Sequence, residues 1–264
     1  MHPAAIAARY WPFANGSGRI LDRFARGIDL GSGERIAATS DGFSMHVRAD
    51  DLIGRHILLS GKFDRSIVQI LLDEARPGDT LLDIGANIGY VSACFLARVP
   101  GSSAVCVEPQ PGIVELLERN MAPFGERAII HRVALSDREG ELRFRIDPAN
   151  RGASRVCDDG EIVVPAVHAG TILASMPRLD LVKIDVEGHE EPVFRAINAQ
   201  LARLAPRAIL FEDQKDGAVG VIGDILRRHG YAIHGIEKRL TRTALVPILS
   251  RRDCRFNDYL ARRG

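Results

Sequence analysis

Apolar and polar positions change period along the chain, and the changes mark its elements. Phe63, Ile67, Leu71 and Ala75 recur every four residues, with Ile70 on the same stripe and Asp64, Arg65, Asp73 and Glu74 mostly off it. That spacing predicts an amphipathic helix. Pro77-Gly78-Asp79 stops the helix and starts a short apolar run, Thr80-Leu81-Leu82, that leads into Asp83. After a loop bearing Gly85 and Gly89, residues 90–97 have the length and apolar content of a packed helix. Further strands are predicted at 104–108, 129–135, 180–186 and 208–211. Helices are predicted at 113–120, at 192–204 with Val193, Ile197, Leu201 and Leu204 as its stripe, and at 218–229. Residues 231–236 and 256–260 read as a closing antiparallel pair.

The order strand, glycine loop, helix, strand is the opening of a doubly wound α/β fold. The expected fold is therefore α/β, a doubly wound and mostly parallel seven-stranded sheet with helices on both faces. Two stretches depart from the alternation. Residues 1–60 form an accessory segment, with 20–25 as one or two helical turns and short β-like alternations at 43–47 and 57–59. Residues 141–167 read as an inserted β segment, because Leu142, Phe144 and Ile146 alternate with polar residues and the apolar run 162–167 follows a polar loop. The main domain is expected to span 61–264.

The chemistry gathers at the predicted strand ends. A dinucleotide loop wants glycine where Asn87 and Tyr90 stand, and a phosphate loop wants a Gly-Lys-Ser/Thr run that is absent. Asp83 before the loop would repel a pyrophosphate but attract an ammonium or hydroxyl. The loop Asp83, Gly85, Asn87, Gly89 is thus read as the site of a cofactor without phosphates. Glu108, 25 positions after Asp83, ends the next strand, where an acid in such folds binds ribose hydroxyls. Ala134 to Asp137, with Ala134 and Ser136 as contacts, would face an adenine ring. Asp185 ends an apolar strand, which is costly unless it is paired or faces a pocket. His189 follows at a helix start, where the neutral ring a base needs is favoured. Glu190 and Glu191 suit the same helix terminus without any chemical role.

The 264 residues are 46% apolar and 26% charged, with a net charge of +1. That fits one sizeable domain with additions and gives no reason to expect a nucleic-acid partner. Cys94, Cys106, Cys157 and Cys254 are far apart and unpatterned, which suits a reducing cytoplasm. No apolar run approaches the ~20 residues a membrane span needs, and the start is too polar for a secretory signal. Glu212 and Asp213 end a further strand, and with Asp185 either could hold a divalent metal, but three ligands at a fixed spacing are not visible, so no metal is expected. Apolar residues in the N-terminal segment are available for a homodimer contact.

The loop itself resembles the first motif of class I S-adenosylmethionine-dependent methyltransferases, with Asp83, Gly85 and Gly89 in its D-x-G-x-x-x-G form. Over a longer span, LLDIGANIGYVS, VEPQPGIVELLERNM, VALSDREGELRF and DLVKIDVEGHEEPVFRAI together resemble the FkbM family of methyltransferases. The resemblance runs from about residue 61 to residue 212. It implies S-adenosylmethionine as cofactor and O-methylation of a hydroxyl on a sugar, a polyketide-type small molecule or a glycan. It also implies cofactor contacts at Asp83, Gly85, Gly89, Glu108, the 134–136 turn and Asp185. Two other functions stand beside this one: a non-catalytic cofactor-binding or scaffold protein, and an NAD(P)-dependent oxidoreductase, against which Asn87 and Tyr90 argue.

Overall fold

A computed structural model describes residues 2–147, 154–213, 220–250 and 253–264. The chain opens with helices α1 (Pro3–Arg9) and α2 (Ser17–Phe24), an antiparallel pair β1 (Glu34–Ala38) and β2 (Ser44–Arg48), and helix α3 (Leu52–Ser60). Then come α4 (Arg65–Glu74), β3 (Thr80–Ile84), α5 (Tyr90–Arg98), β4 (Ser103–Val107), α6 (Pro111–Met121) and β5 (Ala128–His131). A second sheet holds β6 (Ala134–Ser136), β7 (Gly140–Arg145), β8 (Arg155–Val156) and β9 (Ile162–His168). The chain finishes with α7 (Ala169–Ser175), β10 (Leu181–Ile184), α8 (Glu190–Leu204), β11 (Ala208–Glu212), α9 (Val221–Arg228), β12 (Tyr231–Lys238), β13 (Thr243–Pro247) and β14 (Asp258–Arg263).

The main sheet has the order β13-β12-β14-β11-β10-β3-β4-β5. β5, β4, β3, β10 and β11 are mutually parallel, and β14 inserts antiparallel between β11 and β12. Seven of these strands are those expected from the sequence. β13 is the addition, paired antiparallel to β12 at the edge, so that among the described residues the sheet has eight strands.

The central strands are buried on both faces, which is why they read as continuous apolar runs rather than alternations. One face packs Leu82, Ile84, Val182 and Ile209 against α7, α8 and α9 through Leu173, Phe194, Ile197 and Ile225. The other packs Leu81, Ala104, Leu181 and Leu210 against α4, α5 and α6 through Ile67, Phe95 and Leu117. Each such fully buried large side chain contributes about 1.5–3 kcal/mol of hydrophobic stabilisation.

Three expectations are corrected. Residues 57–59 are not β-like: they lie in α3, which Asp51 caps by accepting from the Ile53 and Gly54 amides and which Gly61 ends at φ +74°. The run 129–135 is not one strand, because β5 stays in the main sheet while β6 leaves it to pair with β9. The helix expected at 192–204 begins two residues earlier, at Glu190. The expectation for 218–219 lies outside the described residues, as does the stretch 148–153 of the inserted segment.

The accessory segment is tied to the sheet domain by specific bonds. The Asn120 side chain accepts from the His46 amide at 2.7 Å and donates to the His46 carbonyl at 3.0 Å. The Tyr90 hydroxyl donates to Asp41 at 3.0 Å. From β3 the chain winds outward to β4 and β5, then crosses to β10 and β11 on the other side. The strand order therefore switches between β3 and β10, and a crevice opens at their C-terminal ends.

Candidate active site

The glycine loop forms because three of its residues take left-handed backbone: Gly85 (φ +78°), Asn87 (φ +51°) and Gly89 (φ +84°). Asparagine tolerates that conformation through its short polar side chain, here bonded to the Ile88 amide at 2.7 Å. Gly85 approaches the β10 end so closely that a Cβ would come 1.8 Å from the Asp185 carbonyl oxygen. Gly89 starts α5 and packs on α6, where a Cβ would come 2.7 Å from Leu117 and 2.8 Å from Met121. The glycines are thus fixed by chain-to-chain contact.

Glu108 sits at the rim beyond β4 and is 7% exposed. Its Oε2 accepts the Asn87 amide at 3.0 Å and its Oε1 accepts the Gln110 amide at 2.9 Å. Burial pushes its pKa up to about 7, against the opposing pull of those two amides. Each carboxylate oxygen keeps a second lone pair, the capacity a pair of ribose hydroxyls would need.

Lys183, Asp185, Glu187 and His189 come from β10 and the turn after it. Lys183 donates to the Gly85 carbonyl at 3.2 Å and lies 3.3 Å from both Asp83 Oδ1 and Asp185 Oδ2. Burial works against the Lys183 charge, but Asp83 and Asp185 outweigh it and raise the pKa. Burial likewise works against the charge of Asp185, yet the Lys183 ammonium and a Glu212 hydrogen bond hold its carboxyl below the usual range. The turn is fastened by Glu190, whose Oε1 accepts the amides of Val186 at 3.2 Å and Gly188 at 3.0 Å. Glu187, at φ +51°, has its pKa pushed up to about 7 by burial and by the neighbouring Asp185 and Glu190.

His189 places Nε2 3.0 Å from the Ser136 hydroxyl, which lies 3.2 Å from Asp137 Oδ1. If the serine donates to the aspartate, Nε2 carries the imidazole proton and the basic lone pair of the neutral ring is on Nδ1.

Six of the residues singled out from the sequence line one crevice: Gly85, Asn87, Glu108, Ala134, Asp185 and His189. Three lie behind its wall. Asp83 is fully enclosed, accepting from the Ser92 hydroxyl at 2.7 Å and facing Lys183, so the ammonium and hydroxyl it holds are the protein's own. Gly89 is taken up by the α6 contact. Ser136 is 1% exposed and is occupied by His189 and Asp137.

Lys183, a lone cation inside an apolar strand, had no role assigned from residue order, nor had Phe63, Asp64 and Asp258, which stand on the opposite wall beside Glu212, the acid at the end of β11. Asp64 and Asp258 meet at Lys238, whose Nζ is 3.1 Å from one and 2.9 Å from the other. Among the described residues, Asp185, Glu187 and Glu212 bring carboxylate oxygens within 4.8 Å of one another, a donor set that could take a hard divalent cation.

The walls carry hydrogen-bond acceptors, and the loop amide of Asn87 is used by Glu108. Val107, Ala134 and Leu135 add apolar surface beside that rim. Such a site suits hydroxyls, an ammonium and a flat apolar ring, and fits an adenosine-type cofactor better than a pyrophosphate. The strand order, with β14 and the edge strand β13 reversed on its far side and the crevice at the β3/β10 switch, is that of a class I S-adenosylmethionine-dependent methyltransferase fold. Residues 83–233 match the Methyltransferase FkbM domain, and the chain belongs to that family, with S-adenosylmethionine as its cofactor.

Relatives include the hexuronic acid methyltransferase AglP of Haloferax volcanii, 29% identical over 52% of this chain and 58% of AglP. The AMB antimetabolite synthetase AmbE of Pseudomonas aeruginosa is 24% identical over 78% of this chain and 11% of its own length. The 31-O-demethyl-FK506 methyltransferase FkbM of Streptomyces tacrolimicus is 27% identical over 61% of this chain and 75% of its own. The chain thus spans little more than half of AglP and a small part of AmbE.

Proposed function

We propose that the protein transfers a methyl group from S-adenosylmethionine to a hydroxyl oxygen of a sugar, a polyketide-type small molecule or a glycan. The observation that carries this reading is Asp185, an ionised carboxylate held by Lys183 and 40% exposed at the crevice end. The cofactor supplies a methyl group on a sulfonium centre, a good leaving group. The protein aligns the acceptor and gives its proton somewhere to go. Asp185 orients the hydroxyl as a hydrogen-bond acceptor, and His189 is the candidate base. His189 would take the hydroxyl proton, and the bound cofactor would supply the methyl group while the electron pair of its S–C bond stays on sulfur.

The names of two relatives support an oxygen acceptor: one is a hexuronic acid methyltransferase, the other a 31-O-demethyl-FK506 methyltransferase. Glu108 is read as the ribose residue, with Gly85, Asn87 and Ala134 as cofactor neighbours and Asp83, Gly89 and Ser136 as their support. The four cysteines form no disulfide, which suits a reducing cytoplasm, and no helix among the described residues is long and apolar enough to cross a membrane. The test is turnover at saturating cofactor for Asp185→Asn and His189→Ala. Near-normal turnover of Asp185→Asn would overturn the placement of the active site.

A further inference from the structure

Lys183 joins the two halves of the crevice floor. It lies opposite Asp83 in the register of β3 and β10, so both side chains stand on one face of the sheet at the switch point. Its Nζ reaches the Gly85 carbonyl at 3.2 Å, Asp83 at 3.3 Å and Asp185 at 3.3 Å. Burying an ammonium requires a counter-charge, and Asp83, fully enclosed, supplies one. A purely structural pair would be complete there. Lys183 instead also holds a loop carbonyl and a second carboxylate, both at the crevice.

The loop needs such an anchor. Three left-handed residues in five give it local freedom that its own backbone does not remove. Glu108 fixes it at the rim through the Asn87 amide, and Lys183 fixes it at the floor through the Gly85 carbonyl.

We propose that Lys183 is a positioning residue for cofactor binding, locking the glycine loop and the Asp185 carboxylate into one preformed surface. This rests on the cofactor-site reading given above. Preorganisation of this kind raises affinity by removing an ordering cost from the binding step.

Removing Lys183 alone also strands a buried carboxylate, so the test uses a compensated variant. S-adenosylhomocysteine binding by calorimetry and thermal melting are measured on wild type, Lys183→Met, Asp83→Asn and the double variant. In the expected result Lys183→Met lowers both melting temperature and affinity, the latter at least tenfold. The double variant regains most of the melting temperature but still binds at least tenfold more weakly than Asp83→Asn alone. If affinity returns together with stability, Lys183 is structural and the inference is overturned. If Lys183→Met does not fold, the double variant against Asp83→Asn decides the matter. If wild type itself fails to bind S-adenosylhomocysteine, the cofactor-site reading fails first and the inference with it.

Discussion

Gly85 and Asp185 meet backbone to backbone: a Cβ on the glycine would fall 1.8 Å from the aspartate carbonyl oxygen. The loop that opens the cofactor site and the strand end that carries its carboxylate are therefore one packed unit. Gly85→Ala is expected to destabilise the fold by more than about 1 kcal/mol from its positive φ alone, with the clash adding to that. Urea unfolding without cofactor checks it. An unchanged midpoint would mean the loop has room and the glycine serves only the ligand.

Glu108→Ala is expected to weaken S-adenosylhomocysteine binding by about 1.5–3 kcal/mol, the scale of hydrogen bonds to a charged group. Calorimetry at pH 8, above the Glu108 pKa of about 7, reads it with the carboxylate ionised. An unaltered dissociation constant would remove Glu108 from the ribose assignment.

The same residue makes stability depend on pH. Its folded pKa is about 7, against 4.5 for an ordinary exposed glutamate. Below about pH 4.5 both states are protonated and nothing is lost. As pH rises from 4.5 to 7 the unfolded state ionises first, and stability falls by about 3 kcal/mol from this residue. Glu187, also pushed up to about 7, acts in the same direction. Glu108→Gln should therefore lose less stability than wild type between pH 5 and pH 8, read from urea midpoints. Equal losses would show that burial does not raise the Glu108 pKa.

The His189–Ser136 contact at 3.0 Å carries a further expectation. If the histidine is the base, His189→Ala lowers turnover by ~10²–10⁴-fold and flattens the pH profile between 6 and 9. Ser136→Ala should move the apparent pKa of that profile with a smaller loss of rate, since the serine orients the ring. A His189→Ala enzyme with the wild-type rate and profile would make the histidine a bystander.

Much of this was legible from residue order. The buried strands announced themselves as apolar runs, and Asp83, Glu108 and Asp185 marked their ends. The sequence could not show which way each carboxylate turns. Asp83 looks like a ligand-facing acid until Lys183, 100 positions later, arrives across the sheet and claims it. The capped helix at 52–60 was missed because Asp51 and Gly61 signal it at its ends, while 57–59 taken alone reads as apolar strand. Glu212 was marked as a strand-end acid, but the arrival of Asp64 and Asp258 beside it was out of reach, since they come from distant segments that the fold brings together.

The most direct measurement incubates the protein with S-adenosylmethionine labelled in its methyl group and a panel of sugars and polyols, beside the Asp185→Asn variant. Label is expected in a base-stable methyl ether formed by wild type and not by Asp185→Asn. Label that is released by mild base as a methyl ester, or transfer that proceeds equally in Asp185→Asn, would contradict it.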